Sequence, residues 1–200
     1  MSFSGQQAQS FFGPLAGRTA TFMLEGRQAN LQFARAAVGF LAAGGDALTI
    51  LDLDALYSSN SDRVLSQLPA AAAKSTVLRV PDPGSEIEGE FSRLFEAQQK
   101  VIIVDSLNSL YHLLSQEDGS ARSRKLTFAV AALSYLARTN GKAVILTMYR
   151  REGFSRSGTG RSISRLSDVT ASVDISDSEL TVRIERGSAW PGGRFSTRIL

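Results

Sequence analysis

The sequence predicts an α/β domain with a mostly parallel central sheet flanked by helices and closed at the C-terminus by an antiparallel meander. Three observations predict it. Continuous apolar runs of strand length alternate with segments of helical period, as in β-α units whose sheet is covered on both faces. Two of those runs, Ala47 to Leu53 and Val101 to Val104, lead into acids, Asp52 with Asp54 and Asp105. From Val169 onward the pattern changes to apolar/polar alternation in three short runs separated by turn residues.

Residues 1–18, rich in Ser, Gln and Gly, read as a lead segment with Phe11, Phe12 and Leu15 as candidate anchors, and residues 19–200 as one domain. Thr19 to Leu24 reads as the first strand. Leu31, Ala34, Val38 and Leu41 then recur at helical spacing until Gly44-Gly45 stops the helix. After the second strand, Asp62 to Leu68 reads as a short helix, and Thr76 to Val80 as a strand closed by Pro81 and Pro83. Glu86 to Gln99 reads as an amphipathic helix carrying Ile87, Phe91, Leu94 and Phe95. Val101 to Val104 is the most apolar strand, followed by Leu107, Leu110, Tyr111 and Leu114 at helical spacing. Ser115 to Ser123 reads as a polar loop. Lys125 to Thr139 reads as a helix with Leu126, Val130, Leu133 and Leu136 on one face, ended by Asn140-Gly141 before the strand Ala143 to Met148. Tyr149 to Ser167 has no sustained apolar period and reads as a long loop. Val169 to Ile175, Glu179 to Glu185 and Phe195 to Ile199 form the terminal meander.

Composition removes several function classes. The chain has no cysteine, which excludes disulfides, thiolate metal sites and cysteine nucleophiles and fits a reducing compartment. Its one histidine, His112, lies on a helical segment beside Tyr111 and Leu113, so it reads as a packed or surface side chain, and no metal site is expected. The N-terminus lacks the basic start, apolar run and cleavage site of a signal peptide, and no stretch reaches membrane-spanning length. A cytoplasmic protein without a membrane partner is the expectation. The net charge of +3 says little about partners, so the distribution of the cations matters more.

The cations concentrate after the fifth strand. Arg150, Arg151, Arg156, Arg161 and Arg165 stand against one acid, Glu152, among Ser, Thr and Gly, with Phe154 as a stacking face. Guanidinium groups, hydroxyls and an exposed ring suit a nucleic-acid backbone, and single-stranded DNA is the expected partner. A solvated surface loop whose arginines only maintain solubility is the alternative.

A phosphate site between a strand and a helix needs glycines that turn backbone N–H groups toward phosphate, a Lys to neutralise charge and a Ser or Thr hydroxyl for Mg²⁺. The segment after the first strand is Leu24-Glu25-Gly26-Arg27-Gln28-Ala29-Asn30-Leu31. Counting back from Leu31, Gln28 stands at the Lys position and Ala29 at the Ser/Thr position. A neutral amide and a methyl group replace cation and oxygen, Glu25 adds negative charge, and Arg27 compensates in part. Gly26, Arg27, Gln28, Ala29 and Asp105 are therefore candidates for a degenerate nucleotide site, with ATP and Mg²⁺ weak at best and no cofactor expected.

Val101-Ile102-Ile103-Val104-Asp105-Ser106-Leu107-Asn108-Ser109-Leu110 resembles the RecA/RadA recombinase superfamily, including its short archaeal paralogues and the KaiC-like ATPases. In that family an apolar strand ends in a Mg²⁺-associated Asp followed by Ser-Leu-x-Ser-Leu. Ile50-Leu51-Asp52-Leu53-Asp54 resembles the family's Ile-Asp-Thr-Glu segment, with Asp54 where its water-polarising Glu stands. The resemblance implies a RecA-like core, with Asp54 and Asp105 as vestigial catalytic candidates, and places the arginine segment where the family has its second DNA-binding loop. An ordinary carboxylate at a strand end is the alternative reading of Asp105. Only about eighteen residues precede the first strand, so the family's helical N-terminal domain is not expected. Phe40-Leu41-Ala42-Ala43 has the spelling of its subunit-linking motif but lies inside a helix.

These readings imply an accessory protein of the recombinase-paralogue type. It would bind DNA, a RadA-type recombinase or another paralogue in homologous recombination and repair, with little or no ATP hydrolysis. The alternatives are a slow RecA-type ATPase in which Arg27 or a partner's residue replaces the lysine, and a KaiC-like protein-interaction or regulatory module.

Overall fold

The computed structural model describes residues 15–43, 46–81, 86–114, 118–150, 158–176, 179–187 and 194–198. In chain order these form β1 (Thr19–Leu24), α1 (Arg27–Ala43), β2 (Leu48–Asp52), α2 (Leu56–Ser59), α3 (Ser61–Val64), a 3-10 turn (Leu65–Gln67), α4 (Ala70–Ser75), β3 (Val77–Arg79) and α5 (Ile87–Glu96). There follow β4 (Val101–Asp105), α6 (Leu107–Leu113), α7 (Gly119–Asn140), β5 (Ala143–Tyr149), α8 (Gly158–Leu166), β6 (Val169–Ser176), β7 (Glu179–Arg186) and β8 (Arg194–Arg198).

The strands form one sheet of order β3-β2-β4-β5-β1-β6-β7-β8. The first six of that order run parallel, whereas β7 adds antiparallel to β6 and β8 antiparallel to β7. Strands buried on both faces explain the unbroken apolar runs. Ile50, Ile103 and Ile145 point into a layer with Phe22, Phe33 and Val38, while Leu51, Ile102, Val104 and Leu146 point into the opposite layer with Leu126, Val130 and Leu133. Leu15 is buried in the first layer, as its reading as an anchor requires, while Phe11 and Phe12 lie outside the described residues.

Four elements depart from the sequence reading. Residues 158–166, read as loop, are helix α8. Its glycines, serines and arginines are weak or solvent-facing helix formers, and tertiary packing decides the outcome. Ile163 is fully buried against α7, Thr159 Oγ1 donates to Ser123 Oγ at 2.8 Å, and the Ser134 hydroxyl donates to the Leu166 carbonyl at 3.2 Å. Helix α7 starts at Gly119 rather than near Lys125. The side chain of Asp118 accepts the N–H groups of Ser120 and Ala121 at 2.8 and 2.7 Å and caps it. At its other end Gly141 takes φ 66°, the left-handed conformation expected of that glycine. The single helix expected over Asp62 to Leu68 is α3 plus the 3-10 turn, preceded by α2. Helix α4 has no counterpart in the sequence reading, because Ala70–Ser75 is a short alanine run without period.

Candidate functional site

The carboxyl ends of β1, β2, β4 and β5 border a crevice of about 780 Å³, where open parallel sheets place ligands. Gly26, Arg27, Gln28 and Leu31 line one wall, Asp54 to Leu56 with Ser59 and Asn60 a second, and Asn108, Ser109, His112, Tyr149 and Arg150 a third. Of the strand-end acids only Asp54 lines it, and of the cofactor candidates Gly26, Arg27 and Gln28 do, whereas Ala29 and Asp105 do not.

Asp105 lies beneath its floor. The residue is fully buried, and its carboxylate accepts the Asn30 amide N–H at 3.1 and 3.3 Å and the Thr147 hydroxyl. Burial pushes the Asp105 carboxyl from 3.8 up to about 7. The two donors pull it down, and the charges of Asp54 and Asp52 add to the rise. The Asn30 amide also donates to the Tyr149 hydroxyl at 2.9 Å. Burial raises the Tyr149 hydroxyl as well, opposed by that bond and by the nearby Arg27 cation.

Asn30 is the residue the sequence reading missed. Ala29, assigned the hydroxyl position, is 1% exposed and packs inward, and the side chain that meets Asp105 is that of Asn30, one position on. The connection from β1 to α1 is the second surprise. Only Glu25 and Gly26 separate strand from helix, with Gly26 at φ 94°. Glu25 does not lean over the crevice as free charge, since its carboxylate pairs with Arg150 at 3.0 Å and its N–H donates to the Val173 carbonyl.

The other acids are also engaged. Asp52, 1% exposed, accepts the N–H groups of Leu56 and Ser58, both at 2.8 Å, and so fixes the turn into α2. Asp54 Oδ1 accepts the Ser109 hydroxyl, and its Oδ2 has no hydrogen-bond partner among the described residues. Asn30 Oδ1 and the Tyr57 hydroxyl are likewise buried and unpartnered there. Burial raises the Tyr57 hydroxyl, with the carboxylates of Asp105 and Asp52 adding to the effect. Asn108 Oδ1 accepts the Tyr149 N–H at 2.7 Å and ties β5 to α6. The result is a polar, amide- and hydroxyl-lined crevice over a buried carboxyl cluster.

No protein-family model matches the chain, and no curated protein matches it. Solved structures do. The RadB recombinase superposes with a TM-score of 0.70 at 17% identity, over 96% of this chain and 94% of that one. A solved ATPase domain of a second protein superposes with a TM-score of 0.61 at 12% identity, over 90% of this chain and 80% of that one. The chain has a RecA-like fold. Within it, β2 and β4 are neighbours that pair Asp52 with Asp105, and β6, β7 and β8 form the expected antiparallel meander.

Of the arginines singled out for nucleic acid, Arg150 lines the crevice and pairs with Glu25, and Arg161 and Arg165 are exposed on α8. Arg151, Phe154 and Arg156 lie outside the described residues, as does Trp190. The RecA-like sheet adds cations that sequence reading did not single out: Arg183 on β7 and Arg194 on β8 stand directly opposite each other. Like charges in such register are unfavourable, the Arg194 guanidinium donates to Thr181 Oγ1 at 3.5 Å, and only strand pairing makes the juxtaposition visible. Among the described residues no helix is long and apolar enough to cross a membrane, and no group of His, Asp and Glu could hold a metal ion.

Proposed function

We propose that this chain is an accessory protein of the recombinase-paralogue type. It binds DNA, preferentially single-stranded, or a recombinase partner in homologous recombination and repair, with little or no ATP hydrolysis. The observation that carries this reading is the Asn30–Asp105 bond beneath a two-residue β1–α1 connection.

A magnesium triphosphate does not fit these residues. A phosphate-cradling loop needs several successive backbone N–H groups turned inward and a lysine at the helix start. Glu25-Gly26 is too short to wrap a phosphate, and α1 begins Arg-Gln-Ala-Asn. In working relatives of this architecture the metal lies between a loop hydroxyl and the strand-end Asp. Here an amide N–H stands against that Asp, and its second donor, Thr147, comes from β5. What remains is the scaffold, the exposed arginines of α8 and the Arg183–Arg194 pair, which suit phosphate contacts without base readout. The likeness in fold to the RadB recombinase supports a place in recombination.

Titrating fluorescent single-stranded DNA at two salt concentrations, with and without ATP, tests the proposal. Binding that weakens steeply with salt and ignores ATP is expected. ATP turnover at the rate of a working RecA-like enzyme, or no retention of DNA or of a recombinase at low salt, would overturn it.

A further inference from the structure

We infer that the solvent side of α7, alongside α8, is a stacking platform for the bases of a single strand. The inference rests on the DNA-binding reading above and names the surface that holds the bases. The two most exposed large apolar side chains among the described residues, Phe128 at 75% and Tyr135 at 70%, both stand on α7. Three lines run along that helix. Leu126 and Leu133 turn into the core. The next line meets α8: Thr159 Oγ1 donates to Ser123 Oγ at 2.8 Å, the Ser134 hydroxyl donates to the Leu166 carbonyl at 3.2 Å, and Arg138 pairs with Asp168 at 2.7 Å. Helical residues step by about 100°, so Arg124, Phe128 and Tyr135, each one residue past positions 123, 127 and 134, form the third line, on the side away from the core. The two rings stand roughly 10 Å apart along the axis, at about 1.5 Å per residue, and the surface positions between them, Ala131 and Ala132, are small.

Unpaired charge selects the occupant. Helices α7 and α8 carry cations and no acid. Three of those cations are committed within the chain: Arg122 lies over the Tyr111 ring at 5.2 Å, Lys125 pairs with Glu88 at 3.2 Å, and Arg138 pairs with Asp168. Arg124, Arg161 and Arg165 are exposed and make no ion pair among the described residues, although the exposed Asp118 carboxylate lies near Arg124. Because Thr159 is level with Ser123 and Leu166 with Ser134, Arg161 and Arg165 come alongside the part of α7 that bears Phe128. Two separate rings open to water, flanked by free guanidinium groups, fit a polyanion that also offers flat apolar faces. A single strand has both. A duplex keeps its bases stacked on one another, and an acidic peptide supplies the charge without the flat faces.

Fluorescence anisotropy of the full chain with labelled oligothymidine, and with an abasic strand of the same length and charge, decides the matter. The wild type is expected to bind oligothymidine about tenfold or more tighter than the abasic strand. Phe128→Leu with Tyr135→Leu should keep the wild-type circular dichroism and the salt slope but lose that margin, whereas Phe128→Trp with Tyr135→Trp should retain it. Arg161→Ala with Arg165→Ala should instead weaken both strands alike and flatten the salt slope. Equal affinity of the wild type for the two strands, or a leucine variant that keeps the margin, would overturn the inference and leave the DNA-binding reading standing. A wild type that retains neither strand at low salt would overturn both.

Discussion

Replacing Asp105 with Asn separates the cost of burying this carboxyl from the rest of the fold. Its pKa is raised in the folded state, from 3.8 to about 7, so the folded chain holds the proton more tightly than the unfolded chain. The stabilisation from that proton is complete below about pH 4 and is lost progressively as pH rises toward 7. The full shift corresponds to about 4 kcal/mol at 1.36 kcal/mol per unit, and the part falling between pH 5 and pH 8 to roughly 2.5 kcal/mol. Asn is nearly isosteric, cannot ionise, and offers an N–H to Asn30 Oδ1, a buried oxygen without a donor among the described residues. Urea unfolding followed by circular dichroism at pH 5 and pH 8, at fixed ionic strength, should show the wild type losing roughly 2.5 kcal/mol more than Asp105→Asn. A carboxylate held ionised for a metal would have its pKa depressed, and the wild type would then gain stability relative to the variant as pH rises. Equal slopes, or a slope of that opposite sign, refute the reasoning.

Asn30→Ala strips Asp105 of a donor that lowers its pKa, so it should destabilise the fold by about 1–3 kcal/mol at pH 8 and less at pH 5, read from the same unfolding curves. Arg161→Ala with Arg165→Ala, both exposed on α8, should leave the thermal midpoint unchanged while weakening single-stranded DNA binding. The slope of log affinity against log salt should fall by about 0.7 for each phosphate no longer bound. Gly187 sits at φ 144°, and a Cβ there would stand 3.2 Å from a Val169 methyl. Gly187→Ala should therefore cost about 1–3 kcal/mol in thermal unfolding, and adding Val169→Ala should recover only part, because the backbone strain remains.

The parallel sheet was legible because burial on both faces writes itself as uninterrupted apolar runs, and Ile102, Ile103 and Val104 allow no other reading. Of the strand-end acids read from the sequence, only Asp54 reaches the crevice. Helix α8 was not legible, because its period rests on Ile163 and Leu166 alone and the side that stabilises it belongs to α7. Nor was Asn30. Its contact with Asp105 joins positions 75 residues apart, and no local residue announces it. The Arg150–Glu25 pair spans 125 residues of sequence and could be found only in three dimensions.

Three acids lie at or beneath one crevice, where like charges repel, and the chain turns each toward its own backbone or side chains. Asp52 holds two N–H groups of the α2 turn, Asp54 takes the Ser109 hydroxyl, and Asp105 takes Asn30 and Thr147. The backbone completes the arrangement, since the Asp105 carbonyl accepts the N–H of Leu53 at 2.7 Å and locks the β2 turn to β4. Removing any one acid would leave buried donors unpaired, a penalty of about 1–3 kcal/mol for each group. That penalty gives the fold a reason to retain these acids that is independent of nucleotide chemistry. The spelling around Asp105 therefore does not by itself specify a nucleotide site, because the carboxylate it places is engaged by Asn30 and Thr147.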